Sequence, residues 1–367
     1  MPDASTNPHR LPSFVVPSHY RINLEPNLEN ATFTGTVEIE VEVGQRTDNI
    51  QINSADLIIS SASVLDGVGG ETVASGIEHD EDMERVTLKF DSELSTGPYT
   101  IVARFTGILN DLLHGFYRSV FTDDDGVKHT IATTQFESTH ARRAFPCFDE
   151  PAFKASFGVT LVVPENEFAV SNGPDISTTD LGDGRKSILF EDTMVMSTYL
   201  VAFIVGPFEA TEPIDVDGVP LRIVHPIGKG PLTDYSLEAG AFALKFFSNY
   251  YGIPYPGQKL DMVAVPDFAF GAMENLGCIT YREVLLLVDK SRSTEPELLR
   301  VADVIAHEIA HMWFGDLVTM EWWNGIWLNE AFATFMATMC SDNFNAEWGR
   351  WNQFSLERSM AFDVDSL

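Results

Sequence analysis

The hydrophobic periodicity of this chain changes near residue 210, and that change constrains the fold more than any other feature. In the first two hundred residues, apolar side chains alternate with threonine and glutamate; the clearest run contains Phe33, Val37, Ile39, Val41 and Val43. A period of two places alternate side chains on opposite faces, which is typical of a half-exposed antiparallel strand. The alternation therefore predicts an N-terminal β domain over residues 1–210.

Other segments of this region carry the same strand signal, and Asp-Gly pairs typical of turns lie between them. The predicted strands are Tyr20–Leu24, Arg85–Phe90, Tyr99–Phe105, Phe157–Val163 and Thr198–Val205. Many short strands at regular spacing indicate a β sandwich or saddle.

After residue 210 the pattern is mixed. Apolar residues recur at helical spacing in three segments, Thr233–Tyr250, Glu295–Phe314 and Ile326–Phe344, whereas Leu260–Val265 and Cys278–Val288 are typical of strands. Residues 211–367 are therefore predicted to form an α+β domain, and the whole chain is a multidomain β plus α+β protein.

The second of these helices carries signals at both ends. Thr294 stands three residues before Glu297, which predicts a capping box, and Pro296 lies in the first turn. Gly315 follows the last apolar turn, where a left-handed C-cap is expected.

Composition narrows the class of protein. Lysine and arginine number 23 against 54 aspartates and glutamates, so the formal net charge is −31. That charge argues against nucleic acid and anionic membranes as partners, and no partner protein is predicted. Three widely spaced cysteines indicate free thiols, and residues 1–16 show no signal peptide, so we expect a cytoplasmic protein.

An H-E-x-x-H motif is formed by His307, Glu308 and His311. The two histidines are four residues apart on a predicted helix, so both imidazoles lie on one face and can converge on one ion. Glu308 projects beside that face and can reach a metal-bound water without binding the metal. Taken alone, the motif is equally compatible with a helix that contains these residues by chance.

Glu330 is a candidate third ligand. Eighteen residues separate it from His311, enough for a loop and the first turn of an antiparallel helix. It is predicted to face inward with apolar neighbours such as Ala333, where a carboxylate needs a partner; the alternative to a metal is an arginine. Because catalytic zinc takes three protein ligands and keeps one open position, we predict one Zn²⁺ per chain, held by His307, His311 and Glu330.

Two weaker motifs lie upstream. Gly271–Asn275, with the sequence G-A-M-E-N, follows a predicted strand and combines a glycine that permits close backbone approach with the lone carboxylate of Glu274. Gln135 and Glu137 lie at the end of another strand-like segment. Individually, each motif is more typical of a simple turn or strand end.

Together these segments resemble the gluzincin zinc aminopeptidases of the aminopeptidase N type. The resemblance includes H-E-x-x-H with its distant glutamate, G-A-M-E-N, the segment Ala141–Pro151 and Trp322-Trp323, and it covers essentially the whole chain. It implies a saddle-shaped β domain followed by a thermolysin-like zinc domain. It also implies release of single amino acids from peptides that have a free N-terminus.

The resemblance further implies a role for each site residue. His307, His311 and Glu330 hold zinc, and Glu308 is the general base acting on zinc-activated water. Glu137 and Glu274 hold the α-ammonium of the substrate. The remaining substrate-binding residues are Gln135 and Met273, which line the first side-chain pocket, and Gly271, Ala272 and Asn275 of the segment that binds the peptide backbone.

Elementary chemistry supports these roles, because an exopeptidase must select one residue from a charged terminus and two desolvated carboxylates beside the metal would do so. The sequence also departs from the family pattern. Ala331 and Leu276 replace residues common in relatives, which we interpret as differences in packing. The tyrosine that stabilises the oxyanion in the family lies further beyond the third ligand than the 37 residues that follow Glu330 here. We therefore expect a C-terminally incomplete catalytic domain that turns over poorly.

Two alternatives remain open. One is a catalytically impaired, zinc-stabilised module that binds peptide N-termini without cleaving them. The other is a related hydrolase that acts on a lipid epoxide. Relatives of that second kind carry G-G-M-E-N, so Ala272 argues against it.

Overall fold

The computed structural model describes residues 8–123 and 125–365. The described residues form two compact units, one made of those up to residue 208 with 321–323 and the other of residues 209–320 with those from 324 onward. The first seven residues, which begin the segment searched for a signal peptide, lie outside the described residues, as do residues 366–367.

The first unit is built from strands. They are β1 (Val15–Asn27), β2 (Thr32–Val43), β3 (Thr47–Asn53), β4 (Ile58–Asp66), β5 (Glu71–Val73), β6 (Gly76–Asp80), β7 (Arg85–Leu94), β8 (Gly97–Ile108), β9 (Gly115–Thr122), β10 (Lys128–Gln135), β11 (Ser156–Pro164), β12 (Phe168–Ser171), β13 (Asp175–Asp180), β14 (Arg185–Phe190) and β15 (Phe203–Gly206). The described strands form an eight-stranded sheet in the order β13-β14-β11-β1-β2-β8-β4-β5, a four-stranded sheet β12-β15-β10-β9, and a three-stranded sheet β3-β7-β6.

Strand β1 lies in the middle of the largest sheet. Tyr20 pairs with Ile39 of the antiparallel β2 and with Phe157 of the parallel β11, and its ring stacks on Phe157 at 4.7 Å between centroids. The alternation predicted for β2 is confirmed, because its five apolar residues are buried while Glu38 and Glu40 are half-exposed. Each buried side chain of this size contributes about 1.5–3 kcal/mol, so one apolar face stabilises the sheet.

The second unit combines strands with helices. Its elements are β16 (Phe208–Ala210), which begins at the boundary, β17 (Ile214–Val216), β18 (Val219–Pro226), α1 (Asp234–Tyr251), β19 (Leu260–Val265), β20 (Ala272–Met273), β21 (Cys278–Arg282), α2 (Glu295–His311), α3 (Trp327–Phe344) and α4 (Arg350–Asp365). The described strands form one sheet in the order β16-β18-β19-β21-β20, with β17 paired to β18.

The predicted fold class, a β domain followed by an α+β domain, is confirmed. The capping box of α2 is also present: the Thr294 backbone N–H and hydroxyl both donate to Glu297 Oε2 at 2.8 Å. No helix in the described ranges combines the length and apolar character needed to cross a membrane.

Two predicted strands are shorter in the structure than expected. The strand expected over Thr198–Val205 begins at Phe203, after a short 3₁₀ turn. The strand expected over Cys278–Val288 ends at Arg282, because Leu286 and Leu287 N–H donate to the Glu283 carbonyl and close a turn. Short apolar runs cannot be assigned to strand or turn by periodicity alone.

Helix α2 ends at His311, and Gly315 is not its C-cap. Met312, in right-handed conformation, occupies that position. Beyond it the hydrogen bonds lengthen to a five-residue spacing, from Asp316 N–H to the His311 carbonyl at 3.1 Å and from Val318 N–H to the Trp313 carbonyl at 3.1 Å. Gly315 lies within this wider turn, three residues beyond the C-cap, and its φ of +138° is a left-handed backbone conformation that favours glycine.

Candidate active site

The three predicted metal ligands meet in the second unit. His307 and His311, on α2, have their Nε2 atoms 3.0 Å apart. Glu330, in the first turn of α3, places Oε2 3.3 Å from His307 Nε2 and Oε1 3.8 Å from His311 Nε2. Two helices therefore bring two imidazoles and one carboxylate within reach of a single ion.

This donor set fits zinc. Two histidines and one glutamate are a ligand set of catalytic zinc, and tetrahedral bonds of about 2.0–2.1 Å place neighbouring ligand atoms about 3.3 Å apart. The observed separations of 3.0, 3.3 and 3.8 Å bracket that value. The arrangement therefore satisfies both the chemistry and the spacing of such a site.

Hydrogen bonds orient both imidazoles. His311 Nδ1 donates to the Phe314 carbonyl at 2.9 Å, which leaves its Nε2 lone pair directed at the cluster. His307 Nδ1 lies 3.5 Å from the Thr334 hydroxyl of α3. Such partners fix the tautomer and the ring orientation of metal-binding histidines.

Burial and neighbouring charges shift the pKa values of all three residues of the cluster. Burial, together with the neighbouring His307, lowers the pKa of His311 to about 4, so its imidazole is neutral near pH 7. Burial opposes ionisation of Glu330, but the hydrogen bond from His307 and the proximity of the two imidazoles lower the pKa of that carboxyl overall. Burial opposes protonation of His307, but the hydrogen bond with Glu330 and the charge of Glu308 raise its pKa overall, so a metal would compete with a proton for that imidazole.

Glu330 faces the two imidazoles of α2, but it is only half-buried, not enclosed among apolar neighbours as the sequence predicted. Its side chain is 44% exposed, whereas His311 is 1% exposed. Glu330 lies in the first turn of α3, where Trp327 and Leu328 are also exposed, whereas Ala333 further along the helix is fully buried.

Glu308, the predicted general base, is buried beside the cluster. Its charge acts on His307 and also on Tyr281, a fully buried residue of β21. Burial, then Glu308 and Tyr255, raise the pKa of Tyr281 well above its ordinary value. Sequence reasoning gave Tyr281 no role, and its place six residues after Asn275, the last residue of the G-A-M-E-N segment, is a weak signal.

The G-A-M-E-N segment lies against the same cluster. Ala272 and Met273 form β20 and pair with Tyr281 and Thr280 of β21. This pairing carries Glu274, only 2% exposed, to a point where its carboxylate oxygen lies within 4.8 Å of one from Glu330. The structure thus brings Glu274 close to Glu330, one of the three predicted metal ligands.

Further contacts hold the rest of this segment. The Asn275 carbonyl accepts from Cys278 N–H at 2.9 Å, and the Thr280 hydroxyl donates to Asn275 Oδ1 at 3.3 Å. The Gly271 carbonyl accepts from Arg282 N–H at 2.9 Å. Glycine is not sterically required at 271 within this chain, because a Cβ there would lie an ordinary 3.4 Å from Leu285 Cδ1.

Gln135 and Glu137 belong to the first unit. Gln135 is the last residue of β10, pairs with Gly115 of β9 and is buried. Glu137 follows two residues later and is half-buried. Their predicted roles stay predictions.

Thr334 was missed by sequence reasoning, although a signal for it exists. It stands four residues after Glu330, on the same face of α3, and this spacing places it against His307. A polar residue one helical turn from a predicted ligand is a reasonable candidate for orienting another ligand.

Comparison with known proteins identifies the family. Residues 16–200 match the Peptidase M1 N-terminal domain, and residues 235–367 match the Peptidase family M1 domain. The chain therefore belongs to peptidase family M1, and the predicted resemblance to the aminopeptidase N type is confirmed.

Named relatives are similar over nearly the whole chain. Aminopeptidase M1-A of Oryza sativa subsp. japonica is 44% identical over 361 residues, which are 98% of this chain and 41% of that protein. Puromycin-sensitive aminopeptidase of Caenorhabditis elegans is 40% identical over 368 residues, 100% of this chain and 39% of that protein. Endoplasmic reticulum aminopeptidase 1 of Homo sapiens is 43% identical over 365 residues, 98% of this chain and 39% of that protein. The chain spans about two fifths of the length of these relatives.

Proposed function

We propose that this chain carries the chemistry of a zinc-dependent aminopeptidase that releases single amino acids from the N-termini of peptides. The observation that carries the proposal is the convergence of His307, His311 and Glu330 on one point. The relatives named as aminopeptidases support the same activity. Bound zinc would supply Lewis-acid chemistry, polarising a carbonyl and making a water molecule more acidic.

Each residue of the cluster has a distinct task in this proposal. His307 and His311 offer Nε2 to the metal, and Glu330 offers its carboxylate. Glu308 acts as general base, taking a proton from the attacking water and passing it to the leaving amine. Its burial next to His307 supports this role, because a proton acceptor must lie within hydrogen-bond reach of the reacting atoms.

Glu274 accounts for the selection of a free N-terminus. A carboxylate that is 2% exposed attracts an ammonium more strongly than one in water, since the surrounding medium screens charge less. Glu137 is the second proposed ammonium ligand. Holding the ammonium beside the metal ligands fixes the first peptide bond, so that one residue is released at each turnover.

The remaining assignments rest on the family. Gln135 and Met273 are proposed to line the first side-chain pocket, and Gly271, Ala272 and Asn275 to contact the peptide backbone. We also propose the division into a β domain over 1–210 and a catalytic domain over 211–367. A cytoplasmic location is supported by the three cysteines, which are buried free thiols.

A panel of amino-acid reporter amides, assayed with zinc and with a chelator, tests the proposal. We expect zinc-dependent release by the wild-type chain and a loss of about 10²–10⁴-fold in Glu308→Gln, with zinc still bound at one ion per chain. Glu295→Gln, at the exposed start of the same helix, is the matched control and should keep wild-type activity. Full activity in Glu308→Gln would remove Glu308 as the base.

Two outcomes identify the alternatives. Stoichiometric zinc with binding of free peptide N-termini, and no release of the reporter, would indicate the impaired binding module. Hydrolysis of a lipid epoxide but not of any amide would indicate the related hydrolase. A chain that binds no zinc would refute the proposal.

A further inference from the structure

Arg350, the first residue of α4, is a buried charged residue on a helix whose other described residues are not buried. It is the only residue of the described part of α4 that is buried, at 5% exposure. Apolar residues of the same helix, including Leu356 and Phe362, are instead exposed. Burial of a guanidinium is unfavourable unless the charge is paired, so a polar partner must account for the position of this side chain.

That partner is Asp303 of α2. Arg350 Nε donates to Asp303 Oδ1 at 3.2 Å, and its terminal NH2 group donates to Oδ2 at 3.0 Å. Two such parallel bonds form the bidentate geometry that arginine makes with carboxylates. The Ser341 hydroxyl of α3 donates to the same Asp303 Oδ1 at 3.1 Å. One carboxylate therefore joins three helices.

Asp303 stands one helical turn before His307 and shares its face of α2. Along that face, three contacts with α3 follow one another. Asp303 meets Ser341, His307 meets Thr334, and His311 meets Glu330. The positions rise on α2 while they fall on α3, so the helices are antiparallel. We call these six residues the α2–α3 polar interface.

We propose that Arg350 is a positioning residue for the metal centre. By holding Asp303 against Ser341 it fixes the register of α3 along α2, and thereby the distance from the Glu330 carboxylate to the two imidazoles. Glu330 itself is 44% exposed, so its own packing does not supply that constraint. The inference rests on the proposed function, because it takes the cluster to be a zinc site.

Zinc binding is sensitive to the register of α3 along α2, because the ligand distances of a zinc site vary little. A slip of one residue along a helix moves a side chain by about 1.5 Å. Metal–ligand distances are held to within about 0.2 Å. Loss of the restraint at Asp303 and Ser341 is therefore expected to weaken zinc binding, although neither residue is a proposed ligand.

The test measures the zinc dissociation constant of the whole chain by competition with a chromogenic chelator. Arg350→Met is expected to weaken zinc affinity about tenfold or more, as removal of supporting partners does in other zinc sites. Arg350→Lys keeps the charge but not the paired bonds, and should weaken it by a smaller factor. Arg358→Met, on the same helix but exposed, is the matched control and should bind zinc as the wild type does.

A double variant separates positioning from simple stability. Arg350→Met alone leaves the Asp303 carboxylate without its arginine partner. Adding Asp303→Asn removes that negative charge, so the double variant should recover thermal stability relative to Arg350→Met. Zinc affinity should stay low, because the register is still unrestrained. Recovery of both quantities, or unchanged affinity in Arg350→Met and Arg350→Lys, would overturn the inference alone. A wild-type chain without zinc would overturn the proposed function and the inference with it.

Discussion

Replacement of Asp261 by asparagine should strongly destabilise the second unit. Asp261 is 1% exposed and accepts hydrogen bonds from Lys259 Nζ at 2.8 Å and from Arg222 Nε at 2.8 Å. Lys259 Nζ also donates to the Gly277 carbonyl at 2.8 Å, in the turn after the G-A-M-E-N segment. This buried ionic cluster thus supports the strand that precedes the segment and the turn that follows it.

The expected loss in the free energy of unfolding can be worked out from the buried lysine that the substitution leaves without its carboxylate partner. Asparagine keeps the shape of aspartate but not its charge, so Lys259, at 6% exposure, loses its carboxylate while staying buried. Removing one partner of a buried ion pair costs about 3–5 kcal/mol. The same substitution at the exposed Asp217, which pairs with Lys245 at 3.5 Å, should cost about 0–1 kcal/mol.

Urea denaturation at pH 7 measures this difference in the free energy of unfolding. In a thermal scan, a loss of 3–5 kcal/mol in a unit of this size corresponds to a fall of about 6–20 °C in Tm. Asp261→Asn that is no more destabilising than Asp217→Asn would refute the reasoning.

Acidification provides a second check with a defined sign. Burial raises the pKa of Asp261, but Lys259 and Arg222 lower it more, so the folded pKa lies below its ordinary value. A carboxyl of this kind stabilises the fold above its unfolded pKa and loses that contribution as pH falls through the folded pKa. The difference in the free energy of unfolding between the wild type and Asp261→Asn should therefore become smaller below about pH 4. An unchanged deficit there would contradict the charge argument.

Three further predictions concern the helix carrying the histidines and the site itself. Thr294→Ala removes the capping box of α2 and should cost about 1 kcal/mol by urea denaturation, whereas the exposed Ser355→Ala should cost less. Glu274→Gln should raise KM for reporter amides about 10- to 150-fold, because one charge-assisted hydrogen bond to the substrate is lost. Zinc affinity should stay nearly unchanged. Equal KM values for the variant and the wild type would argue against an ammonium site. Zinc at about a thousand times its Kd should stabilise the fold by about 4 kcal/mol in a thermal scan, and His311→Phe should abolish this gain.

Local patterns were sufficient to predict much of this protein. The alternation in β2 is confirmed because one face of the strand is buried and the other is half-exposed. The capping box is confirmed because Thr294 and Glu297 are three residues apart and interact within one helical turn. The placement of His307 and His311 on one face of a helix follows from the same geometry, since residues four apart are neighbours.

Features that depend on contacts between distant residues escaped prediction. Arg350 and Asp303 are 47 residues apart and neither belongs to a motif. The exposure of Glu330 depends on where it lies within α3, which the apolar periodicity alone did not reveal. Helix α2 ends at His311 and is followed by hydrogen bonds of five-residue spacing, and the glycine at position 315 did not reveal this boundary.

The amino-acid sequence by itself determined the order and type of the elements and the identities of the candidate ligands, because periodicity and short motifs act within a few residues. Only the tertiary structure decided how far Glu330 lies from the imidazoles, that Glu274 lies close to Glu330, and that Asp303 joins three helices through Ser341 and Arg350. The physical reason is that these distances are set by packing and by buried charge pairing between segments that are remote along the chain, and no local rule specifies such contacts.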